Sequence, residues 1–207
     1  MRTITRWMPG LLVVSLAAAA CADSTGVKNG LTADESTDLA SVMADDAFTE
    51  SSTMALASIG TTTGEITPSA VITVTFQDTV ACRLGGNVAI DGTRVRNWDR
   101  TTQTGTMDMD LTRTQDACVR TVRGRQITVD GNPNIHVVVH HNRVDGAWSG
   151  LQTMTMQGGF TWSTANGGSG DCTVDLSASY DPDTHTRTLT GTFCNRTINH
   201  TTTWSAG

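Results

Sequence analysis

Two carboxylates two positions apart, Asp108 and Asp110, are the residues with the clearest potential for chemistry. On a β-strand this spacing puts both side chains on one face, with about 7 Å between their Cα atoms. Such a pair can hydrolyse a glycosidic bond, in a cleft lined by aromatic residues. The chain has only five Trp, four Phe and one Tyr. A water-facing strand explains the pair more simply, so no catalytic residue is predicted and hydrolysis ranks third among the possible functions.

The histidines are the next candidates, as metal ligands: His136, His140, His141, His185 and His200. His136 and His140 are four positions apart, which on a strand separates them by roughly 13 Å. His140 and His141 are adjacent and therefore point to opposite faces. A zinc site would need ligands from neighbouring strands. We therefore predict no metal and no cofactor.

A set of large apolar residues offers a different kind of site. Met107, Met109, Met154, Met156 and Trp162 fall on alternate positions of strand-like segments and would share a face. Methionine adapts to irregular ligands, and small barrels hold apolar molecules. The same residues also suit an ordinary core. The second function that the sequence allows is therefore a barrel that binds a small apolar ligand.

The chain begins with the pattern of an export signal. Arg2 and Arg6 precede an apolar run over residues 11–20 that ends in four alanines. A positively charged start, about ten apolar residues and small residues at the cleavage site are typical of a secretory signal peptide. The run is shorter than the roughly 20 residues that cross a bilayer. Residues 1–20 are therefore predicted to be a signal peptide, and the chain an exported one.

The end of this signal, Ala18-Ala19-Ala20-Cys21, resembles the lipobox of bacterial lipoproteins. The resemblance implies that Cys21 carries diacylglycerol, that the peptide before it is removed, and that the new amino terminus is acylated, for example by palmitate. It implies a lipid-anchored protein of the cell envelope, with membrane lipid as its partner through Cys21. Ala22 would be the second residue of the mature chain, and by the same resemblance it favours the outer membrane, facing the periplasm or the surface. The alternative is an ordinary cleaved signal with Cys21 nearby by chance.

Residues 21–70 differ in composition from the rest of the chain and are predicted to form an acidic tether. Residues 22–68 hold eight acidic residues against one base, Lys28, whereas residues 71–207 hold twelve aspartates and eleven arginines. This acidic balance argues against a nucleic-acid partner. Within the tether, Thr32 and Glu35 form a capping-box pattern followed by apolar residues at helical spacing. It predicts a short acidic helix over about 33–48.

From residue 71 onward the apolar period changes to two, which indicates half-buried antiparallel strands. Ile72, Val74 and Phe76 alternate with threonines, and turn signals recur, for example Asp91-Gly92 and Asp181-Pro182. Residues 71–207 are therefore predicted to be an all-β domain, an antiparallel meander of about seven to nine strands. A closed or half-closed barrel is favoured because closure removes sheet edges. A β-sandwich is the alternative.

The number of cysteines supports the prediction that the chain is exported. If Cys21 carries lipid, four cysteines remain, enough for two disulfides in an oxidising compartment. Cys172 and Cys194 flank a predicted hairpin, and both the apolar register and a Cys172–Cys194 bridge are satisfied by one bulge near Gly191. Cys82 is then left to pair with Cys118.

The segments "CRLGGNVAIDG", "TGTMDMDLTRTQDAC" and "GGFTW" resemble a group of uncharacterised Thr- and Gly-rich bacterial exported proteins. The resemblance spans most of residues 71–198. It implies a β domain with paired cysteines and carries no activity. The leading prediction is therefore a membrane-anchored, non-enzymatic interaction or structural module of the envelope, with an unidentified envelope protein as partner.

Overall fold

The computed structural model describes residues 30–57, 69–131, 133–145 and 147–203, so the signal peptide and Cys21 lie outside the described residues. Within that part there is one helix, α1, over Ala33–Ala57, followed by antiparallel strands. No helix in these ranges is long and apolar enough to cross a membrane. The strands are β1 (Ser69–Ala81), β2 (Asn87–Asp99), β3 (Thr104–Asp116), β4 (Cys118–Val122), β5 (Arg125–Asp130), β6 (Ile135–Val144), β7 (Ala147–Trp148), β8 (Gln152–Ser163), β9 (Ser169–Asp181), β10 (Thr186–Phe193) and β11 (Arg196–Thr203).

Helix α1 begins where the capping-box pattern places it. The Thr32 backbone N–H donates to Glu35 Oε2 at 2.8 Å, and the Glu35 N–H donates to Thr32 Oγ1 at 3.1 Å. These two bonds satisfy amide groups that the first helical turn leaves without partners. The helix runs to Ala57, nine residues beyond the predicted end at residue 48. Its extra length comes from tertiary contacts, because Ala47 and Ser51 are fully buried.

The strands form a single antiparallel sheet in the order β1-β2-β3-β6-β8-β9-β10-β11. The β4–β5 hairpin joins this sheet through β5 and β8, and the two-residue β7 pairs with β6. The eleven strands exceed the predicted seven to nine because the chain makes this extra hairpin and the short β7. Strands β1 and β11 pair with one neighbour each and not with each other. The sheet of the described residues is therefore open. Of the closed or half-closed barrel that the sequence favoured, the closed form is not observed, and an open sheet or the alternative β-sandwich fits the arrangement.

The helix packs on one face of this sheet, here called the inner face. Leu39, Met43 and Ala47 of α1 are buried in one core with inner-face residues such as Met109 and Leu189. The helix contacts strands far apart in the sheet, through Glu50 with Arg113 on β3 and Asp45 with Arg187 on β10. The core extends N-terminal of residue 71, as far as Leu31.

Two disulfides brace the sheet, and both pairings are the predicted ones. Cys82 is bonded to Cys118 across 36 residues, and Cys172 to Cys194 across 22. The bulge predicted near Gly191 is wrong, because the β9–β10 register runs without an extra residue from Thr186 to Phe193. Cys194 lies just beyond that ladder, in the β10–β11 turn, with a positive φ of 49°. The turn, rather than a bulge, brings its sulfur to Cys172.

Candidate functional site

The outer face of the sheet brings together the carboxylates and histidines that the sequence singled out. Asp108 Oδ1 lies 2.6 Å from His140 Nδ1, and Asp110 Oδ1 lies 2.7 Å from His136 Nε2. Asp108 and His140 are directly opposite in the β3–β6 register, whereas the second pair is diagonal. Sequence reasoning weighed the aspartates and the histidines separately. It missed their pairing because the order of β3 and β6 in the sheet was not known.

These Asp–His pairs have the geometry of a hydrogen-bonded surface. The second ring nitrogen of His140 lies 3.2 Å from Asn142 Oδ1. Both ring nitrogens therefore have hydrogen-bond partners, Asp108 and Asn142, and neither partner is a serine or cysteine that the histidine could activate. All four paired side chains are well exposed, at 40–65%. Within the described ranges no group of three or more His, Cys, Asp or Glu side chains could hold a metal ion. The pairs suit recognition by charge and hydrogen bonding.

Charge is sorted between the two faces of the sheet. The arginines in the described strands share a face with the buried apolar residues, and the outward positions carry aspartates, threonines and serines. One aspartate, Asp78 on the edge strand β1, departs from this pattern, since it is opposite the buried Ile90. The inward arginines are Arg94, Arg96, Arg113, Arg120, Arg125, Arg143, Arg187 and Arg196. The outward aspartates are Asp91, Asp99, Asp108, Asp110, Asp116, Asp130, Asp171, Asp175 and Asp181. The outer face is therefore acidic and rich in hydroxyl groups.

The carboxylates of α1 form ion pairs with several of the inward-facing arginines. Ion pairs join the helix to β3, β4, β5, β10 and the β4–β5 turn, and a further bond joins the Arg196 side chain to the Leu31 carbonyl at 3.2 Å. The ion pairs are Arg113–Glu50, Arg120–Asp46, Arg125–Glu35, Arg187–Asp45 and Arg123 with both Asp34 and Asp38. The acidic segment predicted as a tether thus serves as the counter-charge of the sheet.

The pair between Arg113 and Glu50 is the most deeply buried. The Arg113 side chain is 1% exposed and Glu50 is 13% exposed, with Nη2 and Oε2 2.8 Å apart. Burial raises the pKa of the Glu50 carboxyl, and the nearby Arg113 guanidinium opposes that rise. Burial also lowers the pKa of Arg113, with Glu50 acting in the opposite direction. Each charge is tolerated inside the protein because the other is present.

A polar cluster around His141 joins the helix to β6 and β8. His141 is fully buried, its Nδ1 lies 3.1 Å from Gln152 Oε1, and its Nε2 lies 3.3 Å from Ser51 Oγ on α1. Its ring packs against Phe48 and Trp148. Burial lowers the pKa of His141 to about 4. His140 and Arg143 act in the same direction, and the Gln152 bond and Asp108 oppose it. His141 is therefore neutral at physiological pH.

Next to this cluster, arginines stack on tryptophans. The Arg143 guanidinium lies 4.9 Å from the ring centre of Trp148 and 6.0 Å from that of Trp98. Arg96 lies 5.1 Å from the Trp98 ring centre. Burial lowers the pKa of Arg96, and the neighbouring Arg143 and Arg94 lower it further. This cation–π group was not predicted. Arg143 and Trp148 face each other across the short β6–β7 pair, and Trp98 on β2 comes near them only because β3 lies between β2 and β6.

The residues predicted to bind an apolar ligand all lie in the core. Met107, Met109, Met154 and Met156 are at most 3% exposed, and Trp162 is 5% exposed. They share the inner face with α1 and belong to the same buried cluster. All five therefore lie on the buried face, and their role as a ligand site stays a prediction. A ligand would reach the methionines only if the helix moved away.

Comparisons with family models, with curated proteins and with solved structures give no match to this chain. The resemblance to Thr- and Gly-rich exported proteins therefore rests on the quoted segments alone. The function has to be argued from the geometry.

Proposed function

We propose that this chain is a lipid-anchored, non-enzymatic module of the bacterial envelope that presents the outer face of its sheet to a partner. The observation that carries the proposal is the separation of charge in the sheet, with arginines on the inner face and aspartates on the outer face. The inner face is covered in part by α1, whose carboxylates pair with four of the inward arginines. The outer face offers exposed carboxylates, imidazoles and hydroxyls. Recognition by this face would use hydrogen bonds and negative charge.

The predicted anchor would hold the module close to its membrane. The described structure begins at Gly30, and Leu31 is already buried in the core. If Cys21 carries the lipid, residues 22–30 are the whole tether. Nine residues span at most about 30 Å when fully extended. The partner would therefore be a component of the same membrane, or of the layer next to it.

The anchor is tested by the intact mass of the mature protein purified from native membranes, with and without reductant. We expect the mass of a chain that begins at an acylated Cys21, and a gain of four hydrogens on reduction of the two disulfides. The variant Cys21→Ser should move from the membrane fraction to the soluble fraction with both disulfides intact. An unmodified Cys21 thiol in the wild-type protein would refute the anchor.

The presenting face is tested with a photo-crosslinking amino acid placed at neighbouring positions of β8. Thr155 is exposed on the outer face, and Met156 is buried on the inner face. We expect a discrete adduct in the envelope from position 155 and none from position 156. The double variant Asp108→Asn/Asp110→Asn, on the same face, should weaken that adduct. Absence of any adduct from positions 155, 177 and 190 would refute an interaction module that uses this face.

A further inference from the structure

The two edges of the open sheet differ in length and chemistry. Strand β11 has eight residues, begins with Arg196 and is otherwise mostly threonine, asparagine and histidine. Strand β1 has thirteen residues and carries one charged side chain, Asp78. It contains no Pro and no Lys or Arg, the residues that commonly protect an edge from pairing with another chain. Among the described residues β1 pairs only with β2, so its other edge is open to a further strand.

The same strand exposes apolar side chains on both faces. Val71 is 67% exposed and Ile72 is 44% exposed, among the largest exposures of apolar residues in the described ranges. On the inner side of β1, Val74 and Phe76 are only half-buried. Exposed apolar residues beside unpaired backbone groups are typical of a surface that binds another strand.

The sequence of β1 is close to symmetric about Val74. The five residues Ile72-Thr73-Val74-Thr75-Phe76 read apolar, threonine, valine, threonine, apolar in both directions. An antiparallel pair of two such strands centred on Val74 places each Ile72 opposite the Phe76 of the other copy. A β-branched residue opposite an aromatic one is a favourable cross-strand pair.

Three other registers are less favourable. Centring the pair on Thr75 would put Ile72 opposite the Asp78 carboxylate, and a shift of one residue would place Ile72 opposite Gln77 and turn the inner face of one sheet to the other side. Centring on Thr73 would pair Ile72 with Val74 but would lose the two Ile72–Phe76 pairs. The register centred on Val74 keeps those pairs and puts Asp78 opposite position 70, so the carboxylates of the two copies are far apart.

We propose that this protein forms a twofold dimer in which the β1 strands of two copies pair antiparallel about Val74. The occupant of the edge is a second copy, because the pattern of β1 complements itself. The two sheets then join into one continuous sheet, with both inner faces on the same side. The axis is perpendicular to the sheet, so the contact is the same for both copies and closes after two.

Disulfide trapping tests the register in the full-length chain in its native membrane. We expect Val74→Cys to give a reductant-sensitive dimer, because residue 74 faces itself across the axis. Ile72→Cys and Phe76→Cys should give none when expressed singly and a dimer when expressed together. Equal crosslinking of all three single variants, or none with Val74→Cys, would overturn the proposal.

A charge on the edge gives the complementary test. Ile72→Lys should convert the purified dimer to a monomer in sedimentation analysis while its unfolding midpoint stays near that of the wild type. The matched control is Leu151→Lys, since Leu151 is 52% exposed and lies outside β1. The control should remain dimeric. A wild-type protein that sediments as a monomer, or an Ile72→Lys variant that remains dimeric, would overturn the proposal.

Discussion

At the scale of single residues, sequence patterns predicted chemistry better when both partners lay close together in the chain. Thr32 and Glu35 were recognised as a capping pair, and their two hydrogen bonds are present. The partners of Arg113 and His141 were not recognised, because Glu50 and Ser51 precede them by 63 and 90 residues. Nothing in the local sequence of either strand indicates a buried partner on a distant helix.

The buried pair of Glu50 and Arg113 gives a stability prediction. Glu50→Gln leaves the Arg113 charge buried without its counter-charge, and we expect a loss of about 3–5 kcal/mol in the free energy of unfolding. The double variant Glu50→Leu/Arg113→Met replaces the pair by apolar side chains and should recover most of that loss. Urea denaturation at pH 7 measures both changes.

The control for this experiment is an exposed pair from the same helix. Asp34 and Arg123 are 69% and 54% exposed, so Asp34→Asn should change the free energy of unfolding by less than about 1 kcal/mol. Equal losses in Glu50→Gln and Asp34→Asn would show that burial of the Glu50 pair has no energetic consequence.

His141 gives a prediction about pH. Its pKa of about 4 in the folded protein is below the ordinary 6.5, mainly because the ring is buried. The unfolded chain therefore binds a proton first as the pH falls. The contribution of His141 to stability is fully present above pH 6.5 and is lost as the pH falls towards 4. At about 1.4 kcal/mol per pKa unit, the loss is on the order of 3 kcal/mol.

The measurement is urea denaturation of wild type and His141→Gln at pH 7 and pH 4.5. The variant should be less stable at pH 7 and should lose less stability between the two pH values. Glu50 acts in the opposite sense, because its raised pKa favours the folded state as the pH falls. His136→Gln, a change on the outer face of β6, away from the helix, should keep the wild-type difference. The same pH dependence in wild type and His141→Gln would contradict the assignment.

At the scale of elements, the strands were predictable because burial of one face imposes a period of two. The alternation of Met154 and Met156 with Thr153 and Thr155 appears directly in the burial of β8. The full extent of α1 was not predictable, since its second half is held by contacts with the sheet. The Asp91-Gly92 pair predicted as a turn lies inside β2, where an added Cβ on Gly92 would lie only 2.4 Å from the Asp110 carbonyl oxygen of β3. A glycine that marks a close approach cannot be distinguished locally from one that marks a turn.

Gly191 is a second glycine of this kind, and it gives a prediction. Its φ is +128°, and an added Cβ would lie 2.1 Å from the Asp175 carbonyl oxygen. Gly191→Ala must therefore shift the β9–β10 backbone, and we expect a loss of about 3 kcal/mol or more. Gly167→Ala is the control, because that turn has open space around it and a φ of +81°, so about 1 kcal/mol is expected. Thermal unfolding measures both, and equal effects would show that β10 can move aside.

The disulfides give a prediction about the elements they join. Replacing Cys172 and Cys194 by serine frees a loop of 22 residues, for which chain entropy gives a loss of about 3 kcal/mol. Replacing Cys82 and Cys118 frees a loop of 36 residues and should cost about 4 kcal/mol. Denaturation of the two serine pairs measures these losses. A negligible loss in either pair would show that the bridge adds nothing to the folded sheet.

At the scale of the whole molecule, the sequence indicated a β domain with an acidic segment before it, and the two are one folded unit. The all-β class was predictable from periodicity and threonine content. The open sheet was not, because closure depends on what fills the space between the edges. The helix occupies the inner face, and a groove lined by Asp45, Thr49 and Val80 lies between α1 and β1.

Removing α1 tests whether the helix and the sheet fold as one unit. A chain that begins at residue 69 keeps every strand but loses the counter-charges of the inward arginines and the cover of the inner face. We expect it to lack cooperative unfolding and a near-ultraviolet circular dichroism signal. A chain that begins at residue 30 should show both. Cooperative folding of the shorter chain would mean that the helix is dispensable for the sheet.

The place of α1 in the chain also sets the order in which the protein can be completed. The helix precedes every described strand, yet its Asp45 pairs with Arg187, 142 residues further along the chain. Leu31, just before the helix, accepts a bond from Arg196, 165 residues further along. Contacts between such distant residues slow folding. The helix can therefore complete its contacts only after the last described strands have been synthesised. A chain interrupted before that point leaves part of the arginine face uncovered.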